Sequence, residues 1–119
     1  MKRSPILGSI VVTNQDTGVS GRGAVTGVNF DIFGGIEFTA DNTQYNGSWL
    51  AMRDPGSWAH LSFWSPGPKD SGVYLATLES TDGKRITCEF GYNMTSNSGK
   101  GLCKSRGTGT MYDLFISLI

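Results

Sequence analysis

The segment from Arg85 to Ile119, RITCEFGYNMTSNSGKGLCKSRGTGTMYDLFISLI, constrains the fold more than any other part of the chain. Ile86, Cys88, Phe90 and Tyr92 alternate with Thr87, Glu89 and Gly91, the two-residue period of a strand with one buried face. A run of turn formers follows, Asn93-Met94-Thr95-Ser96-Asn97-Ser98-Gly99, and after it a short return strand carrying Cys103. Folding the two segments back about Thr95–Ser96 sets Cys88 opposite Cys103, Phe90 opposite Gly101 and Tyr92 opposite Gly99. Aromatic rings laid over cross-strand glycines cover bare backbone and hold a register in place. A third strand, Met111 to Ile119, completes an antiparallel meander.

The same kind of punctuation divides the rest of the chain. Ile6–Thr13 reads as a first strand, closed by the turn Asn14-Gln15-Asp16-Thr17-Gly18. Arg22–Phe30 is a second, whose glycines (Gly21, Gly23, Gly27) predict a bend or bulge. Ile36–Ala40 and Tyr45–Met52 follow, joined through Asp41-Asn42, and Asp54-Pro55-Gly56 turns into a fifth strand, Trp58–Ser65. After the loop PGPKDSG comes Val73–Ser80, and Asp82-Gly83 predicts a type I′ hairpin into Arg85. No apolar stripe at helical spacing occurs anywhere. The expectation is one all-β domain over 1–119: an antiparallel barrel or sandwich of eight to nine short strands with essentially no helix. The stretch from Tyr45 and the stretch from Thr87 share a plan of strand, turn, return strand, loop and strand, which raises the expectation of two similar three-stranded units.

Composition enters where it excludes. A net charge of +0 gives no global field toward nucleic acid or an anionic membrane, and 17 glycines with only 17% charged residues suit a compact β domain. No apolar run approaches the roughly 18–20 residues of a membrane helix. MKRSPILGSIVV starts like a signal peptide, but Pro5, Gly8 and Ser9 break its apolar run. Two localisations follow: cytoplasmic if the chain is complete as given, periplasmic or extracellular if a leader has been removed and the cysteines are oxidised.

With one His and two Cys there is no tetrahedral metal cluster, and no cofactor is expected. Cys88 and Cys103, facing each other on one side of a hairpin, can form a disulfide worth roughly 3 kcal/mol. The alternative is a pair of reduced core thiols in a cytosolic protein; the shared face favours the disulfide, and with it an oxidising compartment. His60, with Ser62 two residues on, lacks the strained nucleophile turn and the third orienting group of acyl-transfer chemistry, so no enzyme is expected. The glycines of Gly21-Arg22-Gly23-Ala24-Val25-Thr26-Gly27 and Ser98-Gly99-Lys100-Gly101 miss the spacing of dinucleotide and phosphate loops. Two binding surfaces are candidates. Trp58 and Trp64 share a strand face with His60 between them, beside Trp49 and Phe63, and can stack on a sugar or a peptide. Lys84, Arg85, Lys100, Lys104 and Arg106 gather near Phe90 and Tyr92, and offer a nucleic-acid surface or a lysine-guarded strand edge; overall neutrality favours the edge. The sequons Asn46-Gly47-Ser48 and Asn93-Met94-Thr95 matter only in a glycosylating host.

The pattern Cys88-x-Phe90-x-Tyr92, Gly99-x-Gly101-x-Cys103, Tyr112-Asp113-Leu114-x-Ile116 resembles that of small bacterial envelope proteins, lipoprotein-type β domains that pair a strand cysteine with a second one after a GxGxC turn. The resemblance covers the last third of the chain and its motifs are structural. It implies an all-β, exported, disulfide-bonded protein and carries over no catalytic residue; the lipid-attachment cysteine near the start is missing here. The functional expectation is a non-enzymatic binding or assembly module at the cell envelope, with a ligand or protein partner and no membrane span. The alternative is a cytosolic barrel that binds nucleic acid through Lys100 and Lys104. An unpaired edge strand, or an unburied C-terminal strand ending Phe115-Ile116-Ser117-Leu118-Ile119, is expected to allow a homodimer.

Overall fold

The structure is a computed structural model that describes residues 6–27, 33–52, 72–93 and 97–118. Eight strands follow one another: β1 (Ile6–Asn14), β2 (Ser20–Thr26), β3 (Phe33–Ala40), β4 (Thr43–Met52), β5 (Gly72–Glu79), β6 (Arg85–Asn93), β7 (Ser98–Ser105) and β8 (Met111–Leu118). Each pairs antiparallel with the next, and β8 returns to pair with β1 over Gly8–Asn14, so the sheet closes into an up-and-down barrel. The choice between barrel and sandwich is thereby decided. Closure also removes the strand edge. Among the described residues β8 is paired on both sides, so backbone strand addition gives a homodimer no purchase there, and the lysines of β7 guard no edge.

The C-terminal register is the expected one: Cys88 pairs with Cys103, Phe90 with Gly101 and Tyr92 with Gly99. Other boundaries differ for local reasons. β2 ends at Thr26, followed by Gly27 with a φ of 150°, and the rest of the expected strand, up to Phe30, lies outside the described residues. The irregularity expected in β2 lies across from it in β1, where the register shifts between Ile6 and Gly8. β3 starts at Phe33, earlier than Ile36, because Gly34 fits beneath a tryptophan: a Cβ there would stand 2.6 Å from Trp49 Nε1 and 2.1 Å from the Thr26 carbonyl. The Asp82-Gly83 turn is not type I′. Only Gly83 has a positive φ (88°), Ser80 N–H donates to the Lys84 carbonyl (2.9 Å), and Lys84 N–H donates back to Ser80 Oγ (3.0 Å). That is a three-residue loop with one left-handed glycine. The type I′ geometry occurs instead at Asp41-Asn42, where φ is 50° and 63°.

The expected fifth strand, Trp58–Ser65, lies outside the described residues. β4 and β5 pair directly from Asn46↔Glu79 to Met52↔Val73, so no strand stands between them. The return strand of the first of the two expected three-stranded units lies in the same undescribed stretch; among the described residues that unit contributes β4 and β5, and the second β6 to β8.

Alternation along every strand sends one set of side chains inward. Ile10, Val12, Val25, Ile36, Phe38, Trp49, Tyr74, Leu78, Ile86, Phe90, Leu114 and Ile116 form one core at 0–3% exposure, filling the lumen as small barrels do. Size is matched across strands: Gly23 pairs with Phe38, Gly47 with Leu78, Gly101 with Phe90. The outward positions are mostly polar, for example Ser9, Arg22, Gln44, Asn46, Thr77 and Lys104. A membrane barrel carries an apolar band on its outside. Here the apolar wall is the inner one, and among the described residues no helix is long and apolar enough to cross a membrane.

Candidate functional site

The interior is built for rigidity. The Cys88–Cys103 disulfide bridges directly opposed residues of β6 and β7 whose Cα atoms are 4.0 Å apart, with both side chains fully buried in the lumen. Beside it an aromatic chain runs along the inner face of β4, β5 and β6: Trp49 meets Tyr74 edge-on (centroids 5.5 Å apart), and Tyr74 stacks on Phe90 (5.3 Å). Trp49 Nε1 donates to the Thr26 carbonyl (3.1 Å), which satisfies the indole without exposing it. Trp49 is therefore a core residue and no part of a ligand-stacking face. Phe90 is equally buried, which removes it from any nucleic-acid surface.

One end of the barrel, where β1, β3, β5 and β7 finish, is closed by short turns and a polar lock. The Tyr112 hydroxyl donates to Asp41 Oδ2 (2.7 Å), and Asn14 Nδ2 donates to the same oxygen (3.1 Å). Asn14 Oδ1 in turn accepts the backbone N–H groups of Asp16 and Thr17, holding the β1–β2 turn. Burial, reinforced by the Asp41 carboxylate, pushes the Tyr112 phenol well above its usual value. Tyr45 moves the same way through burial and the nearby Asp82 and Asp41. Asp82 itself is held below the usual carboxylate range, chiefly by the hydrogen bond from Ser80. This lock has no local signature in the chain, since Asn14 and Asp41 look like ordinary turn residues and the contact spans 71 positions from Asp41 to Tyr112.

The outer wall carries the chemistry that is free to meet a partner. Thr77 pairs with Thr87, and Thr87 with Lys104, so three side chains form one row across β5, β6 and β7. With Leu75 on one side and the turn residues Arg106, Gly107 and Gly109 at the end, they line a groove of about 600 Å³. Arg106 is held there by its backbone N–H, which donates to the Arg85 carbonyl (2.9 Å). A second hollow of about 550 Å³, lined by Asp82, Gly83, Lys84, Arg85 and Arg106, lies on the other side of Arg106. The five cations differ in their partners. Arg85 is paired with Glu79 (2.8 Å) and Lys84 with Asp82 (3.9 Å), while Lys100, Lys104 and Arg106 make no ion pair among the described residues. One row along from the threonines, Glu89 faces outward yet is 1% exposed, between Leu75 and Leu102.

Of the expected site residues, Cys88 and Cys103 are joined. Lys100 and Lys104 share the outer face of β7, four residues and about 13 Å apart. Lys100 lies beside Phe115 of β8, away from the groove, and Lys104 lines the groove itself. Trp58, His60 and Trp64 lie outside the described residues. Thr77, Thr87 and Leu75 went unnoticed in the sequence because they come together only through register, although each already sat at an outward parity of its strand. Among the described residues no cluster of His, Cys, Asp and Glu is arranged to hold a metal ion.

Fold and surface together define a class: a small, disulfide-bonded, closed eight-stranded meander with a filled interior and a cationic groove on its outer wall. No family model, curated protein or solved structure matches the chain.

Proposed function

We propose that this protein is a non-enzymatic binding or assembly module that works in an oxidising compartment, at the bacterial cell envelope. The observation that carries the reading is the Cys88–Cys103 disulfide buried inside a closed barrel. Disulfides persist in exported proteins and are rare in the cytosol, where thiols are kept reduced. The filled lumen supports the rest of it: a barrel whose interior is occupied by Trp49, Phe38, Tyr74 and Phe90 meets its partners with its outer wall and its loops. The resemblance of the Cys88–Cys103 region to lipoprotein-type envelope domains points the same way.

A second reading, a cytosolic barrel that binds nucleic acid, is favoured by Lys100, Lys104 and Arg106, which make no ion pair among the described residues. It loses Phe90 as a stacking platform, and the paired states of Lys84 and Arg85 reduce the positive charge left to bind phosphates. The deciding experiment is the intact mass of the denatured protein from its native host, alkylated with and without reductant. Thiols blocked until reduction are the expected result. Thiols that alkylate freely would overturn export and shift weight to nucleic acid, whose binding would weaken steeply with salt.

A further inference from the structure

The groove between Leu75 and Arg106 joins three features not found together elsewhere on the described wall. At one end are two cations, Lys104 and Arg106, without a carboxylate partner among the described residues, although their neighbours Lys84 and Arg85 both have one. On its floor are the hydroxyls of Thr77 and Thr87, each able to donate or accept. At its far end is Leu75, half-buried and apolar. Glu89, buried and paired in register with Leu75 and Leu102, stands one row from the threonines and does not line the groove. The volume of about 600 Å³ falls within the range of small-molecule sites.

We propose that this groove binds a small organic phosphate monoester, with its phosphoryl group between Lys104 and Arg106 and its apolar substituent over Leu75. Charge complementarity selects the head group. A phosphate monoester carries about −1.5 to −2 charges at neutral pH and offers three strong acceptor oxygens. Two unmatched cations and two hydroxyl donors meet that demand, whereas a carboxylate supplies one charge. Arg106 brings a planar fork suited to two phosphate oxygens, and Lys104 a point charge. Leu75 explains why the ester should bind better than the free anion. The proposal rests on the reading of the protein as a binding module, and names the ligand class and the site; it does not depend on export, which the thiol experiment tests separately.

The test uses the full chain, oxidised, with phenyl phosphate as the probe, followed by calorimetry and by backbone amide shifts. Saturable binding is expected, with the largest shifts at Leu75, Thr77, Thr87, Lys104 and Arg106. Inorganic phosphate and benzoate should each bind at least about fivefold more weakly, the first for want of Leu75 contact and the second for want of charge. The double variant K104A/R106A should lose at least about tenfold in affinity while its thermal unfolding stays unchanged; Lys100→Ala, outside the groove, should bind like the parent. Equal affinity for benzoate or inorganic phosphate, indifference to K104A/R106A, or shifts centred away from the groove would each overturn the proposal. So would an oligonucleotide that binds more tightly than phenyl phosphate and depends on Lys100 as strongly as on Lys104.

Discussion

Strand β7 has two walls of opposite character. Its inner wall carries Gly99, Gly101, Cys103 and Ser105; its outer wall carries Lys100, Leu102 and Lys104. Inside, every position is defined by what stands across from it. A Cβ on Gly101 would fall 2.1 Å from the Glu89 carbonyl and 2.5 Å from Phe90 Cβ, and Cys103 is bonded to Cys88. Outside, Lys100 and Lys104 are exposed. The difference separates two tasks. The lumen specifies one fold through volume, ring contacts and a covalent link, and among the described residues its inward positions are taken up by packed side chains. On the outer wall the exposed residues Lys100, Lys104 and Thr77 have open sides that can serve recognition.

That contrast can be broken at several points. The largest expected effect is inside: Trp49→Ala should cost about 4 kcal/mol, read as a lower denaturant midpoint, because a fully buried ring is replaced by a cavity that the closed sheet cannot fill. A loss of under about 1 kcal/mol would mean that the lumen is looser than its burial indicates. Next comes the disulfide. The double variant C88A/C103A should lose about 3 kcal/mol yet keep its strand register, since Phe90 over Gly101 still fixes it. Loss of the native amide pattern in this variant would show that the covalent link, and not side-chain volume, sets the register.

At the polar end the effects are smaller. Tyr112→Phe removes the hydrogen bond to Asp41 and should cost about 1 kcal/mol, as the carboxylate keeps its bond from Asn14. Its pH dependence has a definite sign. The phenols of Tyr112 and Tyr45 are raised in the folded state, so their stabilising contribution is full below about pH 10, where an unfolded tyrosine ionises, and is lost as pH rises toward the folded values. Thermal unfolding should therefore drop above that pH, and less steeply in Tyr112→Phe than in the parent; equal slopes would remove Tyr112 from the alkaline transition. The outer wall should be nearly silent in stability: Lys104→Ala is expected to stay within about 0.5 kcal/mol, and a larger loss would show that this wall is structural after all. The smallest effect is at Asp82. Ser80→Ala should let its carboxyl titrate closer to the ordinary value, measured by carbon chemical shift, with only a small loss in the unfolding midpoint as the exposed turn loses the Lys84 bond to Ser80 Oγ.

Much of the second half of the molecule was legible in the chain. Alternation in Ile86–Tyr92, the spacing to Gly99, Gly101 and Cys103, and the turn formers between them define a hairpin whose register can be counted, because a one-residue slip would turn Phe90 and Cys88 outward. The first half was harder. Gly27 and Gly34 mark ends and close approaches, but which of the two depends on Trp49, a partner on another strand. The type I′ turn was expected at Asp82-Gly83 and occurs at Asp41-Asn42, because Ser80 hydrogen-bonds Asp82 and Lys84 and draws that loop into the three-residue form. The groove was half legible. Lys104 and Arg106 stood out as a basic cluster, whereas Thr77, Thr87 and Leu75 become their neighbours only once β5, β6 and β7 are in register.

By itself, then, the sequence determined an all-β chain, its inward and outward faces, and the opposition of Cys88 and Cys103, because two-residue periodicity and turn chemistry act over short spans of chain. Closure of the sheet, the direct pairing of β4 with β5, the Asn14–Asp41–Tyr112 lock and the separation of paired from unpaired cations were decided only in three dimensions. Each joins residues far apart in sequence, whose contact depends on the twist and register of the whole sheet rather than on any local preference.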